Sequence, residues 1–330
     1  MRIIFMGTPD FAVPCLEALV KSGEEILGVI TQPDRPKGRG KQLTPSPVKV
    51  KATEYGIPVY QPECIRTPEF VSLLKGIQPE LIVVVAFGQL LSPEILNLPP
   101  YGCVNVHASL LPNYRGAAPI HRAVLNGEKT TGVTTMFMDQ GLDTGDMILG
   151  QPITITPEDT VGTIHDKLAE VGAQLLLKTI EGIKLGQAPR TPQDNSKATY
   201  AEMLRREHEL IDWGRGAEQL WNQIRGMNPW PGAYTLWEEK VLKVWKAEVW
   251  TPEREASVVN VGVADFGGEE VAKDTGKVLK VIPERGLVVQ TGQGQLLLQE
   301  IQLQGSRRLR VEEFIRGHNI SVGTRLGKGE

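Results

Sequence analysis

The sequence has few cysteines, no excess of positive charge and no long apolar run. Its 330 residues include three cysteines, Cys15, Cys64 and Cys103, whose spacing fits neither a metal site nor a redox pair and suits a reducing cytoplasm. The formal net charge of -3 argues against a protein that holds nucleic acid by bulk positive charge, and we expect no DNA partner. No apolar run approaches the ~20 residues that span a bilayer, and the N-terminus lacks a signal-peptide pattern. We therefore expect a cytoplasmic protein without a membrane partner.

Three common nucleotide and hydrolase motifs are also absent. The sequence contains no Gly-x-x-x-x-Gly-Lys-Ser/Thr phosphate loop and no Gly-x-Ser-x-Gly elbow of a serine hydrolase. The first predicted turn, Gly7-Thr8-Pro9-Asp10, departs from the Gly-x-Gly-x-x-Gly pattern of dinucleotide-binding folds. These absences argue against P-loop, serine hydrolase and dinucleotide cofactor chemistry.

The chain changes character near residue 200. Before it, strand and helix signals alternate, which predicts a doubly wound, mostly parallel, Rossmann-like α/β sheet. After it come all six tryptophans and several short strand signals, including one at residues 258–263, which predict a smaller OB-like β-barrel. We expect a catalytic domain at 1–188, a polar linker at 189–208 and the barrel domain at 209–330.

A polar pair follows a buried strand in the first part. Asn105 and His107 are two residues apart, so an extended chain places both side chains on one face. In a doubly wound sheet, ligands bind where the strands end. An amide and an imidazole there can donate hydrogen bonds to the oxyanion formed when a nucleophile attacks a carbonyl. The alternative is that both side chains only fix a loop.

An acidic turn lies further along the chain, where Asp139, Asp143 and Asp146 alternate with glycines. A carboxylate beside His107 would favour the charged imidazolium, fix its orientation and allow proton transfer. Two other interpretations stay open. Three acids and a histidine could hold a metal, although their spacing is not that of a tight ligand set and we expect none, and the acids could be ordinary turn residues.

These motifs together resemble the 10-formyltetrahydrofolate-dependent formyltransferases, and the match extends over the whole chain. Further motifs, at both ends of the chain, fit the members of that family that act on initiator methionyl-tRNA. The segments that carry the resemblance are Gly7-Thr8-Pro9-Asp10-Phe11, Thr31-Gln32-Pro33-Asp34-Arg35-Pro36, Asn105-x-His107-x-Ser109-Leu110-Leu111-Pro112, Tyr114-Arg115-Gly116-Ala117-Ala118-Pro119-Ile120, Thr131-Gly132-Val133-Thr134, Gly141-Leu142-Asp143-Thr144-Gly145-Asp146, Ile211-Asp212-Trp213 and Asn228-Pro229-Trp230-Pro231-Gly232-Ala233.

The resemblance implies transfer of a formyl group from 10-formyltetrahydrofolate to the α-amino group of initiator methionyl-tRNA. We expect a monomer, although the sequence does not give the oligomeric state. Asn105, His107 and Asp143 match the family's catalytic residues, and we call them the trio. Asn105 and protonated His107 would stabilise the oxyanion, and Asp143 would keep His107 charged and accept the amine proton through water. The implied cofactor-binding residues are Ser109, Leu110, Leu111 and Pro112 and, on a pterin-side loop, Phe87, Gly88, Gln89 and Leu90.

A basic segment follows the second predicted strand and is expected to be a loop at the catalytic edge. Its four cations alternate with proline and glycine: Arg35, Lys37, Arg39 and Lys41. Such side chains can order around phosphates, although an isolated charge run is usually a solvated surface. The resemblance favours contact with the tRNA acceptor stem, with Arg39 as the most important side chain.

Two alternative functions remain at the level of sequence. One is a related formyltransferase whose acceptor is an amino-sugar nucleotide or a purine-pathway amine. The other is a non-catalytic protein that binds folate or RNA. The basic segment and the full second domain favour tRNA over the other acceptors, and an intact trio argues against a simple binding protein.

Overall fold

The computed structural model describes residues 1–37, 42–251 and 274–327, which divide into two compact units. Unit 1 comprises Met1–Ile120, Thr130–Ile155 and Thr163–Glu202, and unit 2 comprises His121–Lys129, Thr156–Gly162 and Met203–Glu330. Two short segments from the first part of the chain therefore belong to unit 2. The sequence boundaries at residues 188 and 209 stay a prediction, and the strand expected at 258–263 lies outside the described residues.

Unit 1 is built on a seven-stranded sheet. Its strands are β1 (Arg2–Gly7), β2 (Glu25–Ile30), β5 (Val59–Tyr60), β6 (Leu81–Val85), β7 (Cys103–His107), β8 (Thr130–Phe137) and β9 (Met147–Thr154). In the order β5-β2-β1-β6-β7-β8-β9, the first five strands pair in parallel and the last two pair antiparallel. The prediction of a doubly wound, mostly parallel sheet is confirmed.

Strand β6 shows why the sheet lies in the interior of unit 1. All five of its residues are buried, as expected for an unbroken apolar strand with helices on both faces. Each fully buried Val, Leu or Ile contributes about 1.5–3 kcal/mol by leaving water. Because the chain winds from β1 outward in one direction and from β6 outward in the other, the topological switch point lies between these two strands. This is where doubly wound sheets open a ligand crevice.

The helices of the first part of the chain are α1 (Val13–Lys21), α2 (Pro47–Glu54), α3 (Pro68–Ile77), α4 (Pro93–Leu96), α5 (Pro119–Leu125) and α6 (Val161–Lys184). Local chemistry sets where two of them begin: Ser46 and Thr67 accept the hydrogen bonds of backbone amides three residues on, and each is followed by a proline. Three short 3-10 helices lie at Asp10–Ala12, Asn195–Lys197 and Arg206–Glu209. Every helix in the described ranges is too short or too polar to cross a membrane.

The basic segment forms part of a hairpin rather than the expected plain loop. Its strands are β3 (Arg35–Lys37) and β4 (Gln42–Thr44), which pair antiparallel with Arg35 opposite Thr44. We call these two strands the basic hairpin. Two of the four cations, Arg39 and Lys41, lie outside the described residues.

The described residues of the C-terminal part of unit 2 form an antiparallel sheet and two α-helices. The strands are β10 (Tyr234–Trp237), β11 (Lys240–Trp250), β12 (Val278–Ile282), β13 (Gly286–Gln290), β14 (Gln295–Leu303) and β15 (Leu309–Arg310), and the helices are α7 (Ala217–Gly226) and α8 (Val311–Gly317). The strand order is β10-β11-β14-β13-β12, with β15 paired to β14. Trp213 and Trp237 are buried in its core. The antiparallel second domain is confirmed, and closure into a barrel stays a prediction.

Candidate active site

The carboxyl end of β7 places the first two members of the trio. The strand is buried along its length and pairs with β6 on one side and β8 on the other. Asn105 and His107, which alternate with Val104 and Val106, are themselves buried, at 9% and 6% exposure. Burial matters because hydrogen-bond donors act more strongly on developing charge where water is excluded.

Asp143 meets both residues from the turn between β8 and β9. Its Oδ2 lies 3.7 Å from His107 Nδ1, and its Oδ1 lies 3.5 Å from Asn105 Nδ2. The backbone amide of Gly116 donates to Oδ2 at 2.8 Å. The structure therefore brings together the three side chains that the sequence selected, from two separate parts of the chain.

Both ring nitrogens of His107 face hydrogen-bond acceptors. Its Nε2 lies 3.0 Å from the carbonyl of Tyr114, which can only accept, so this nitrogen carries a proton. The other nitrogen, Nδ1, faces the carboxylate of Asp143, which when ionised is also only an acceptor. With a proton on each nitrogen, the ring could donate toward both acceptors.

The acidic turn is held by glycines and by one of its own acids. A Cβ on Gly145 would lie 1.9 Å from the carbonyl oxygen of Phe137, so any larger residue would force the turn away from β8. Asp139 accepts hydrogen bonds from the backbone amide of Gly141 and the hydroxyl of Thr144. Asp139 is thus a turn residue, and Asp143 is the acid that faces His107.

The segment after β7 is anchored to β8. Ser109 is 1% exposed; its hydroxyl donates to the carbonyl of Asn113, and its own carbonyl accepts from Thr134 Oγ1. Leu111 is buried and donates its backbone amide to the same threonine hydroxyl. Of the four residues expected to bind the cofactor here, Ser109 and Leu111 are buried, whereas Leu110 and Pro112 are partly exposed.

The loop after β6 lies at the switch point of the sheet. The carbonyl of Phe87 accepts from the side chains of Thr8 and Gln32, and the Phe87 ring is buried. Gln89 turns away from solvent and bonds the backbone of Ile65 and Pro62. Gly88 and Leu90 are exposed, Leu90 to 65%. Gln89 is therefore a structural residue of this loop, while Gly88 and Leu90 are open to a ligand.

The basic hairpin is held at its base and exposed beyond it. Asp34 accepts from Lys49 and from Gln61, each at 2.7 Å, and the hydrogen bond from Lys49 is the main cause that holds the pKa of Asp34 below its usual value of 3.8. The side chain of Arg35 is 68% exposed and lies 3.9 Å from Glu63, which is also exposed. Such a pair contributes little to stability and leaves the cation accessible.

Sequence reasoning missed the residues that support the trio. Arg115 is 1% exposed and donates from Nε and Nη2 to Oε1 of Gln193 and from Nη2 to Asn195. Gln193 in turn donates to the carbonyls of Asp143 and Gly145. Both partners of Arg115 come from the stretch expected to be a linker. The one sequence feature that could have indicated this network was Arg115, because it lies in a motif that carries the family resemblance.

Cys103, two residues before Asn105, is excluded as a nucleophile. Burial raises the pKa of its thiol to about 12, so it stays protonated near neutral pH. Within the described part of the chain, no group of three or more His, Cys, Asp or Glu side chains is arranged to hold a metal ion.

Comparison with known proteins shows the family of this chain. A formyl transferase family profile matches residues 1–180, and the profile of the formyl transferase C-terminal domain matches residues 203–319. The methionyl-tRNA formyltransferase of Desulforamulus reducens is 55% identical over 327 residues, which cover 99% of this chain and 98% of that protein.

Two solved structures share the fold at low sequence identity. WlaRD, a sugar 3N-formyltransferase crystallised with dTDP and 5-N-formyl-THF, is 19% identical with a TM-score of 0.62, over 93% of this chain and 99% of that one. HypX from Aquifex aeolicus, in complex with tetrahydrofolic acid, is 15% identical with a TM-score of 0.62, over 96% of this chain and 47% of that one.

Proposed function

The chain belongs to the formyl transferase family, and from this membership we propose that it transfers the formyl group of 10-formyltetrahydrofolate to the α-amino group of initiator methionyl-tRNA. It is a formyl-transferring enzyme with a folate-derived donor and a tRNA acceptor. The observation that carries the proposed chemistry is the meeting of Asn105, His107 and Asp143 at the carboxyl edge of the sheet. The donor supplies a formyl carbonyl on a nitrogen, which the amine attacks.

The amine must lose a proton during this transfer, and Asp143 is placed to receive it. A free α-amino group has a pKa of about 7.7–8.0, so a useful neutral fraction exists near pH 7. After attack the nitrogen becomes cationic and acidic, and Asp143 can take the proton directly or through one water. Because its Oδ2 already accepts from Gly116, the carboxylate keeps a fixed direction while it does so.

Asn105 and His107 act on the oxygen of the formyl carbonyl. The amide of Asn105 has two N–H bonds, and only one is directed at Asp143, so the second can donate to an oxygen that gains negative charge. The imidazolium of His107 adds a positive charge beside that oxygen. His107, or a water next to it, then protonates the nitrogen that leaves.

The loops around the trio fit a flat donor with an apolar face. Leu90 and Leu142, on the loops after β6 and β8, are 65% and 52% exposed, so both apolar side chains are accessible to a ligand. Ala86 and Gly88 have positive φ angles of 46° and 86° and are exposed, so their backbone groups are open to hydrogen bonding. We propose that this loop and the 109–112 segment hold the donor, with Leu90, Leu110 and Pro112 in direct contact.

The basic hairpin is the proposed tRNA contact. Arg35 is exposed and weakly paired, as expected of a side chain that contacts phosphates. Lys37, Arg39 and Lys41 carry the same charge in the same stretch of sequence, and we assign all four to the acceptor end of the tRNA.

One assay tests the proposed function. Purified protein is mixed with 10-formyltetrahydrofolate and methionine-charged initiator tRNA, and in parallel with the donor and an amino-sugar nucleotide. We expect formyl-methionine only in the first mixture. Formylation of the sugar alone would identify the alternative acceptor. Donor binding without any formyl transfer would show a binding protein and overturn the proposal.

A further inference from the structure

The side chain of Gln193 uses all of its hydrogen-bonding capacity within the active-site loops. Its Nε2 donates to the carbonyls of Asp143 and Gly145, each at 2.8 Å. Its Oε1 accepts from Nε and Nη2 of Arg115 at 3.1 and 2.8 Å. An amide has two N–H donors and two acceptor positions, so the group is saturated. A single side chain thus joins the turn that carries Asp143 to the turn that carries Arg115.

The turn around Arg115 supplies the backbone groups that contact the trio. The carbonyl of Tyr114 accepts from His107, and the amide of Gly116 donates to Asp143. Arg115 lies between them, with its side chain buried and its backbone bonded to Thr199 and Ala201. Anything that fixes Arg115 therefore fixes the partners of His107 and Asp143 as well.

Asp143 itself has a backbone that needs support. Its φ of 53° lies in the left-handed region, which a residue other than glycine keeps only where its surroundings determine it. Two of the hydrogen bonds that hold this turn come from Gln193, at Asp143 itself and at Gly145. The Asp143 carboxylate contacts His107 at 3.7 Å, so a small rotation of the turn would separate the two groups.

We infer that Gln193 is a positioning residue for formyl transfer, which sets the direction of the Asp143 carboxylate relative to His107. The inference rests on the proposed function of the trio. It gives Gln193 an indirect part in catalysis, because its side chain bonds both the Asp143 turn and Arg115. Gln193 does not need to touch either substrate.

Three variants separate positioning from stability. Gln193→Ala removes both the donors and the acceptor. Gln193→Glu keeps an acceptor for Arg115 but cannot donate to the two carbonyls while ionised. Asn195→Ala is the matched control. Asn195 also accepts from Arg115 Nη2, at 2.8 Å, but among the described residues its side chain makes no hydrogen bond to the Asp143 turn.

We expect both Gln193 variants to lower kcat by about 10²-fold, the usual cost of a misplacement near 1 Å, with the KM values for tRNA and donor almost unchanged. Asn195→Ala should lower kcat roughly tenfold less than they do, or not at all. The melting temperature of Gln193→Glu should stay close to that of the unaltered protein. Equal losses of kcat in Gln193→Glu and Asn195→Ala, or full kcat in Gln193→Glu, would overturn the inference.

A double-mutant cycle shows whether Gln193 acts through Asp143. In an Asp143→Asn background, measured by single turnover, the added Gln193→Ala change should cost almost nothing, because the carboxylate it positions is already gone. An undiminished further loss would mean that Gln193 acts elsewhere. The unaltered protein is the reference for both outcomes: if it forms no formyl-methionine, the proposed function fails, whereas a normal rate with fully additive variants rejects only the role of Gln193.

Discussion

The catalytic edge and the basic hairpin of unit 1 are built in opposite ways. Asn105, His107 and Asp143 are largely buried, and every one of them is held by a neighbour's backbone or side chain. Arg35 on the hairpin is 68% exposed, and its acidic partner lies at 3.9 Å. Catalysis requires side chains that are already positioned before the substrate binds. Phosphate binding requires accessible cationic side chains that bind reversibly. The two regions should therefore respond differently to substitution, to salt and to pH.

The largest effects are expected from the trio. His107→Ala should lower kcat by about 10²–10⁴-fold, because in the proposed mechanism His107 donates a hydrogen bond to the oxyanion and a proton to the leaving nitrogen. Asn105→Ala and Asp143→Ala should do the same to a similar degree, with little change in melting temperature. Single-turnover formylation at saturating tRNA and donor measures this. If these variants kept the rate at saturating substrate and raised only the KM for tRNA, the trio would contribute to tRNA binding and not to catalysis.

The basic segment from Arg35 to Lys41 should show the reverse pattern. We expect Arg39→Ala to raise the KM for tRNA roughly tenfold, with a smaller effect from Arg35→Ala, while kcat changes little, because each phosphate contact adds affinity without entering the reaction. The dependence of KM on salt concentration should become less steep in both. Lys75→Ala is a matched control. This exposed lysine lies in the last turn of α3, which leads into the first residue of β6. It is therefore at the amino end of the strands, whereas the trio is at their carboxyl end. An equal rise in KM for Lys75→Ala would mean that the basic segment affects tRNA binding only through the net charge of the protein.

Local features of the candidate site could be predicted from the sequence, whereas its long-range contacts could not. Strand β6 and the Asn105–His107 pair were predictable, because an unbroken apolar run and a two-residue spacing are local signals. The meeting of Asp143 with that pair was expected from family resemblance alone, because Asp143 lies 36 positions after His107 and no local pattern joins them. The role of Gln193 was not predictable. Its stretch is polar and irregular, so composition indicated a linker, and its importance comes from four hydrogen bonds to distant residues.

The hairpin was missed for a related physical reason. Three-residue strands such as β3 and β4 are too short for a period-two pattern, and the proline in β3 argues against a strand. The base of the hairpin is also held by distant residues, because Asp34 accepts from Lys49 and Gln61, which are 15 and 27 positions away. Long-range contacts of this kind leave no local mark in the sequence.

The smallest effect is expected at that base, and its sign can be worked out. Because the hydrogen bond from Lys49 holds the pKa of Asp34 below 3.8, ionised Asp34 stabilises the fold at pH values above its unfolded pKa. That contribution is lost as the pH falls below 3.8 through the lowered folded value. Asp34→Asn should therefore lower the urea midpoint slightly at pH 7, by an amount that stays constant down to about pH 5 and shrinks below pH 4. Glu63→Gln, in the exposed pair with Arg35, should leave the midpoint unchanged at every pH. A midpoint difference for Asp34→Asn that grows on acidification would reverse the sign and show that the hairpin base is held by the neutral acid.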